Sequence, residues 1–126
     1  MTEKIPAPLD LEGLGFKSID VLSLAKELLG SEHAVRDGRA ARTLAKSGGL
    51  TVVLTVVPAG GNLAEHVTPG PVVIVPLMGT ATFSGTDAQD GHPVWIGHAL
   101  FIGEGQRHRV SASEDCAFLI FIGLQS

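Results

Sequence analysis

Histidine side chains are the groups in this sequence whose type and spacing could support chemistry. The chain has five of them, at His33, His66, His92, His98 and His108. A neutral imidazole can ligate a metal or act as an acid or a base near neutral pH. His33 follows the predicted helix in GSEHAV and His92 stands in the turn DAQDGHP, so we expect both to be ordinary loop residues. His66 and His108 each follow a Gly-rich stretch and stand beside a predicted strand, which makes them the stronger candidates.

Motifs of other common chemistries are absent from the sequence. It has no G-x-S-x-G nucleophile elbow, no G-x-x-x-x-G-K-[ST] phosphate loop, and no G-x-G-x-x-G that opens a helix after a strand. Cys116 is the only cysteine, so no internal disulfide can form, and its setting CAFLIFI predicts a buried apolar residue more than a reactive thiol. Any chemistry is therefore expected to depend on the histidines.

Composition indicates one globular domain and excludes several classes of partner. The chain has 126 residues, of which 44% are hydrophobic and 17% charged. The net charge of -4 and the lack of a concentrated basic run argue against a nucleic-acid partner. No apolar run approaches the roughly 20 residues of a membrane span, and MTEKIPAPLD lacks the plan of a signal peptide. We expect a cytoplasmic protein with no membrane partner.

The first third of the chain predicts an arm and one helix. Proline and glycine are frequent in residues 1–17, which favours a loosely ordered arm. From Ser18, the segment SIDVLSLAKELLG has apolar residues at helical spacing, and Gly30 is a stop signal. We therefore assign residues 1–38 to an arm and helix that pack on a barrel formed by residues 39–126.

Short apolar segments separated by turn residues predict strands over the rest of the chain. RAARTLAK and LTVVLTVV are expected to form a hairpin with its turn at residues 47–49. Further predicted strands cover residues 72–77, 80–84, 94–96, 99–102, 107–112 and 117–122. Seven or eight short strands at this spacing are typical of an antiparallel sandwich or barrel.

Two of the predicted strands need cover on both faces of their sheet. VVIV and AFLIFI have apolar residues at odd and at even positions alike. A strand with one face in solvent would instead alternate apolar and polar residues. One face can meet the barrel interior, and the other requires the N-terminal helix or a second subunit. We expect a homodimer, with cover by the helix alone as the alternative.

The spacing of glycine and histidine resembles the paired motifs of the cupin superfamily. Gly60 precedes His66 with five residues between them and Gly79 closes the first motif, while Gly97 opens a second that leads to His108. The cupin motifs run G-x5-H-x-H-x3,4-E-x6-G and G-x5-P-x-G-x2-H-x3-N, and the match covers about residues 39–122. The resemblance implies an all-β, small antiparallel cupin (double-stranded β-helix) barrel with an N-terminal arm and short helix. The sequence resembles small single-domain cupins of unassigned function.

The resemblance also implies a metal site, which this sequence keeps only in part. In metal-bearing cupins, two His and a Glu of the first motif and the His of the second hold one ion. His66 and His108 match the first and last of these ligands. Thr68 occupies the position of the second His, and Val72 occupies that of the Glu. A hydroxyl is a poor ligand for a divalent transition metal and a valine offers none. Any Ni, Zn, Fe or Mn ion should therefore be weakly bound.

A third ligand would have to come from elsewhere in the chain. The candidates are His98 first, then Glu65, Glu104 and His92. A pair of histidines at a barrel mouth can also act without metal, as polar anchors for a small ligand or an anion. We favour this metal-free interpretation, because two of the four ligands are missing.

The predicted function is binding of a small ligand, or weakly of a divalent metal, in the barrel through His66 and His108. The alternatives are a metal-dependent cupin enzyme of the dioxygenase, isomerase or lyase type, and a dimeric interaction unit. The residues that we expect to contact a ligand are His66, Thr68, Val72, Trp95, His98, Phe101 and His108. The large aromatic residues are more often core than ligand contacts, so we expect Trp95, Phe83, Phe101, Phe118 and Phe121 to act mainly as core filler.

Overall fold

The computed structural model describes residues 7–85 and 91–123, except for the side chains of Glu65 and His66. Within these ranges there are two helices, α1 (Val21–Leu29) and α2 (Glu32–Asp37). The strands of the same ranges are β1 (Leu9–Asp10), β2 (Ala40–Lys46), β3 (Leu50–Val57), β4 (Asn62–Val67), β5 (Val72–Met78), β6 (Ala81–Ser84), β7 (Gly91–Val94), β8 (Leu100–Ile102), β9 (Arg107–Ala112) and β10 (Cys116–Gly123). The chain is therefore mostly β, as predicted.

The strands form two sheets that face each other as a jelly roll. One sheet has the order β1-β2-β3-β10-β5-β8 and the other has the order β4-β9-β6-β7. Apart from the short parallel pair of β1 and β2, the strand pairs are antiparallel. Between the sheets lies a core that includes Val57, Ile74, Phe83, Val110 and Phe118. This confirms the predicted all-β jelly-roll fold, although no backbone ladder in the described part of the chain joins the two sheets.

Individual strands agree with the sequence prediction to different degrees. The hairpin of β2 and β3 is confirmed, with Ser47 N–H donating to the Leu50 carbonyl across the turn. β4 was not predicted, because its sequence NLAEHV is too polar to read as a strand. The strand predicted at residues 94–96 is displaced, since β7 ends at Val94 and the following residues turn, with His98 N–H donating to the Trp95 carbonyl at 2.9 Å.

Helix α1 confirms the predicted helix but begins later than Ser18. Asp20 caps it by accepting a hydrogen bond from the Ser23 N–H at 3.1 Å, so the first helical residue is Val21. The hydrogen bonds to Ser23 hold the pKa of the Asp20 carboxyl below its usual range. A short polar side chain at this position thus decides where the helix starts.

Helix α2 and strand β7 correct the predicted places of two histidines. Ser31 caps α2 through its hydroxyl, and Gly38 ends the helix with a φ of 74°. His33 therefore lies in a helix and not in a loop. His92 lies in β7, opposite Phe83 of β6, and not in the turn where the sequence suggested it would be.

Helix α1 covers part of the outer face of the larger sheet. Leu24 and Leu28 of the helix pack against Leu54 of β3 and Ala117 of β10, and all four are buried. The helix therefore supplies a share of the cover that the doubly apolar strands require. The predicted homodimer stays a prediction, as does the division of the chain at residue 38.

The buried interior also accounts for the single cysteine. Cys116 lies in the core at the start of β10, and desolvation raises the pKa of its thiol to about 11. This confirms its interpretation as a buried apolar residue. Among the helices of the described ranges, none combines the length and apolar character that a bilayer crossing needs.

Candidate functional site

Two neighbouring cavities meet at His108. The inner cavity, of about 90 Å³, lies between the sheets and is walled by Leu63, Thr68, Pro69, Val72, Ile74, Phe83, His108, Val110, Phe118, Ile120 and Ile122. The mouth cavity, of about 240 Å³, is walled by Phe83, Ser84, Gly85, His92, Leu100, Phe101, Ile102, Gly103, Gln106, Arg107 and His108. Phe83 and His108 belong to both walls. The His108 imidazole therefore stands at the boundary between the barrel interior and its mouth.

The position of His108 follows from the period of two in β9. His108, Val110 and Ala112 are buried, whereas the residues between them are exposed. His108 is only 7% exposed, and its ring lies 6.5 Å from that of Phe83, centroid to centroid. A largely desolvated imidazole in a mostly apolar cavity is a strong candidate for a polar contact with a ligand.

Thr68 and Val72, the two substituted ligand positions, line the inner cavity with His108. The Thr68 hydroxyl donates to the Gly103 carbonyl at 3.1 Å, and its backbone N–H donates to the Gln106 carbonyl at 3.2 Å. These bonds fasten the β4–β5 loop to the turn that precedes β9. The hydroxyl proton is therefore engaged, while the oxygen lone pairs remain able to accept a bond from a ligand. Val72 contributes only an apolar wall.

The backbone of His66 lies directly opposite His108 in the ladder of β4 and β9. The register shifts between Leu63 and His66, so a bulge precedes this pair. The side chains of His66 and Glu65 are outside the described residues, and the roles predicted for them stay predictions. The backbone establishes the register of β4 and β9, in which the two motif histidines occupy facing positions on adjacent strands.

Trp95 and His98 lie away from both cavities. Trp95 is 48% exposed, and its ring packs at a tilt of 47° on that of His98, with a centroid distance of 3.9 Å, in the turn between β7 and β8. The expectation that Trp95 fills the core is therefore wrong, whereas Phe83 and Phe118 are core residues in edge-to-face contact at 5.4 Å. Phe101 lines the mouth cavity but is 73% exposed, so it is not core filler either.

The described side chains do not fit the four-ligand metal site of the family motif. Thr68 and Val72 hold two ligand positions without a suitable donor, and the described residues contain no group of three His, Cys, Asp or Glu side chains arranged to hold an ion. Of the candidate third ligands, His92 lines the mouth cavity together with His108, whereas His98 packs on Trp95.

Sequence reasoning missed two polar residues of the mouth cavity. Gln106 and Arg107 come directly before His108 in GEGQRH, and both line the mouth. Their position next to the motif histidine was the available signal. Together with His108 they form one polar part of the mouth wall, and Ser84 and His92 add polar groups from β6 and β7.

The glycines of the two motifs are kept for a structural reason. Gly60, Gly79, Gly97 and Gly105 all have positive φ, between 71° and 97°. Residues that carry a side chain rarely adopt positive φ, so these positions favour glycine whether or not a metal is bound. The glycines of both motifs are therefore kept, whereas Gly103 replaces the Pro of the second motif and Ala112 its Asn.

Comparison with known proteins supports the fold. Neither protein-family models nor curated proteins gave a match to this sequence. Among solved structures, an RmlC-like cupin protein from Desulfovibrio desulfuricans is 24% identical, with 86% of this chain and 97% of that chain covered and a TM-score of 0.69. A cupin superfamily protein from Desulfitobacterium hafniense is 17% identical over 81% of this chain and 88% of that chain, with a TM-score of 0.68. The polyketide cyclase RemF from Streptomyces resistomycificus is 20% identical over 70% of this chain and 66% of that chain, with a TM-score of 0.62.

Proposed function

Because the chain has the cupin fold, we propose that it is a small-molecule binding protein whose ligand occupies the inner cavity beside His108. The observation that carries this proposal is the position of the His108 imidazole, which is largely buried and lines the inner and the mouth cavity at once. A polar group at such a boundary can fix the orientation of a ligand that enters from the mouth. His66, at the facing ladder position, is proposed as the second anchor.

The dimensions and walls of the cavities limit the class of ligand. The inner cavity has room for several water molecules or for a ligand segment of a few heavy atoms. Its other walls are almost entirely apolar, so the buried segment should be a short hydrocarbon. Neutral imidazole can donate one hydrogen bond and accept another, and therefore suits an alcohol, an amide or a carboxylic acid. The rest of a larger ligand would extend into the mouth beside Gln106 and Arg107.

The test is a titration of labelled protein with small probes, followed by amide NMR shifts. We expect isobutanol and isobutyramide to shift the backbone amides of Val72, Ile74 and Val110 in a saturable manner. His108→Leu keeps the volume and removes the polar group, and should weaken binding of these probes roughly three- to tenfold, the value of one hydrogen bond. His98→Leu makes the same change in the exposed turn and should leave binding unaltered.

Two results would contradict the proposed function. One is that none of the polar probes produces saturable shifts of amide signals around the inner cavity. The other is equal affinity of the His108→Leu variant and the unmodified protein, which would mean that the imidazole anchors nothing. Native mass spectrometry of the freshly purified protein is an independent measurement, and we expect it to show a co-purified small organic molecule in part of the sample.

A weak divalent-metal site at His66 and His108 is the second candidate function. The facing positions of these residues in the ladder favour it, since residues directly opposite on adjacent strands have Cβ atoms about 4.5–5.5 Å apart. The reduced donor set argues for a low affinity for Ni, Zn, Fe or Mn. The likeness to the polyketide cyclase concerns the fold, and no reaction is inferred from it.

A further inference from the structure

A third cavity opens where the two sheets leave a gap beside helix α2. This side cavity, of about 360 Å³, is walled by His33, Asp37, Arg39, Ala40, Ala41, Arg42, Thr55, Leu63 and Ile120. β1 pairs only with Ala45 and Lys46, so the first half of β2 forms an edge of the larger sheet within the described part of the chain. The size falls in the range of roughly 300–1,000 Å³ that is usual for small-molecule sites.

Two arginines give the side cavity a cationic rim. Within the described residues, Arg39 has no hydrogen-bond or ion-pair partner, and Arg42 donates only to the neighbouring Ala41 carbonyl, at 3.3 Å. The carboxylate in the wall, Asp37, is engaged by Arg36, whose Nε lies 3.1 Å from Oδ1. The chain as a whole has a net charge of -4, so two uncompensated guanidinium groups at one cavity are a local exception.

The side chain of Thr55 also lines the side cavity. Thr55 is only 3% exposed, and its side chain has no hydrogen-bond partner in the described part of the chain. The hydroxyl oxygen is not one of the fully buried atoms that lack a partner in the described part of the chain, so it is open to the cavity. A ligand or an ordered water in the side cavity would supply a partner. Thr55 is thus a polar group that an occupant of the side cavity can bond, in addition to the charges at the rim.

The floor of the side cavity is apolar and adjoins the barrel interior. Leu63 and Ile120 line both the side cavity and the inner cavity. A ligand in the side cavity would therefore meet cationic groups at its outer end and hydrocarbon at its inner end. This polarity differs from that of the site at His108, which shares none of the cationic residues of the rim.

We propose that the side cavity is a second binding site, for a small monocarboxylate with a short alkyl chain. The carboxylate would be held by Arg39 and Arg42, whose guanidinium groups match carboxylate geometry with two parallel hydrogen bonds. The Thr55 hydroxyl would donate a further bond, and the alkyl chain would pack on Leu63 and Ile120. This site is independent of the function proposed for His108.

Hexanoate and hexanol are suitable probes, because they share the chain and differ in the charged group. In an amide NMR titration, hexanoate should shift the signals of Ala40, Ala41 and Leu63 with saturation at millimolar concentrations. Arg39→Gln and Arg42→Gln should each weaken hexanoate binding about tenfold, as expected for loss of a charge-assisted hydrogen bond. Hexanol should bind at least that much more weakly than hexanoate at this site.

Matched variants separate this site from bulk charge and from the barrel. Arg109→Gln removes an exposed arginine of β9 that lines none of the three cavities, and should leave hexanoate affinity unchanged. Thr55→Val removes the hydroxyl at nearly constant volume and should weaken hexanoate severalfold. His108→Leu should have no effect on the side cavity.

Three outcomes would overturn the proposal. The first is a lack of saturable shifts at the side cavity with hexanoate. The second is an equal loss of affinity in Arg109→Gln and in the two rim variants, which would mean unspecific attraction. The third is loss of hexanoate binding in His108→Leu but not in the rim variants. That result would place the probe in the barrel, so the function proposed for His108 would stand while the side-cavity site would not.

Discussion

Gly79 should be among the positions of this chain least able to accept a side chain. It lies between β5 and β6 with a φ of 71°. A Cβ at this position would overlap the Asp115 carbonyl oxygen and would lie 2.9 Å from the Cα of Cys116. Gly60 has a similar φ of 82°, but nothing lies within 4 Å of the place where its Cβ would be. The two glycines therefore share the backbone conformation and differ in the space around it.

The expected magnitudes follow from this difference. A non-glycine residue in the left-handed region costs about 1–2 kcal/mol, which applies to Gly60→Ala and Gly79→Ala alike. At Gly79 the neighbours must also move, and forced overpacking adds about 1–3 kcal/mol. Asp115 resists such a movement, because its carboxylate accepts a hydrogen bond from the Ala59 N–H at 2.9 Å. We expect a loss of about 1–2 kcal/mol for Gly60→Ala and about 2–5 kcal/mol for Gly79→Ala.

Urea unfolding of the two variants and the unmodified protein measures this difference. The urea concentration at the midpoint of unfolding should fall moderately for Gly60→Ala and much further for Gly79→Ala. The m-value should be the same for the variants and the unmodified protein. A domain of this size has a total stability of about 5–15 kcal/mol, so Gly79→Ala should still fold or lie close to the limit. Equal destabilisation of the two variants would refute the reasoning, since it would show that the backbone conformation alone sets the cost.

Three further predictions concern metal binding, the reactivity of the Cys116 thiol and the N-terminal cap of α2. Protein purified without chelator should carry well under one equivalent of transition metal. His66→Ala and His108→Ala should each abolish any rise in Tm that nickel or zinc causes. One equivalent of metal that survives dialysis would contradict the weak binding. Cys116, with its pKa raised to about 11 by burial, should stay protonated at pH 8 and react with a disulfide reagent only as the protein unfolds. A fast reaction of the native protein would show that the thiol is accessible. Ser31→Ala removes the cap hydrogen bond to the Ala34 N–H and should cost about 1 kcal/mol in urea unfolding, whereas an unchanged midpoint would mean that α2 is held by packing alone.

Local patterns predicted much of the fold. The apolar spacing of α1, the hairpin at residues 47–49 and the alternation of β9 are all encoded within a few neighbouring residues, and all three are found in the structure. The motif spacing also predicted a place for His108 in the barrel, and the structure puts its side chain on the same face of β9 as Val110. These features depend on the period of one helix or strand, which a sequence displays directly.

Elements whose stability comes from distant partners were missed. β4 contains too few apolar residues to be recognised, and it exists because β9 pairs with it along the chain from Asn62 to Val67. Helix α2 has only six residues, too few for a periodic pattern, and is held by its caps at Ser31 and Gly38. Trp95 was expected in the core because of its size, but its place is decided by the turn that follows β7.

By itself, the sequence determined the β class, the turn glycines and the identity of the two histidines whose backbone positions pair in one ladder. Only the tertiary structure decided that His108 divides two cavities, that His98 packs on Trp95 outside them, and that Arg39, Arg42 and Thr55 line one cavity at an open sheet edge. The physical reason is that a cavity is formed by residues far apart in the chain. Their proximity depends on the register and packing of both sheets, which no local pattern contains.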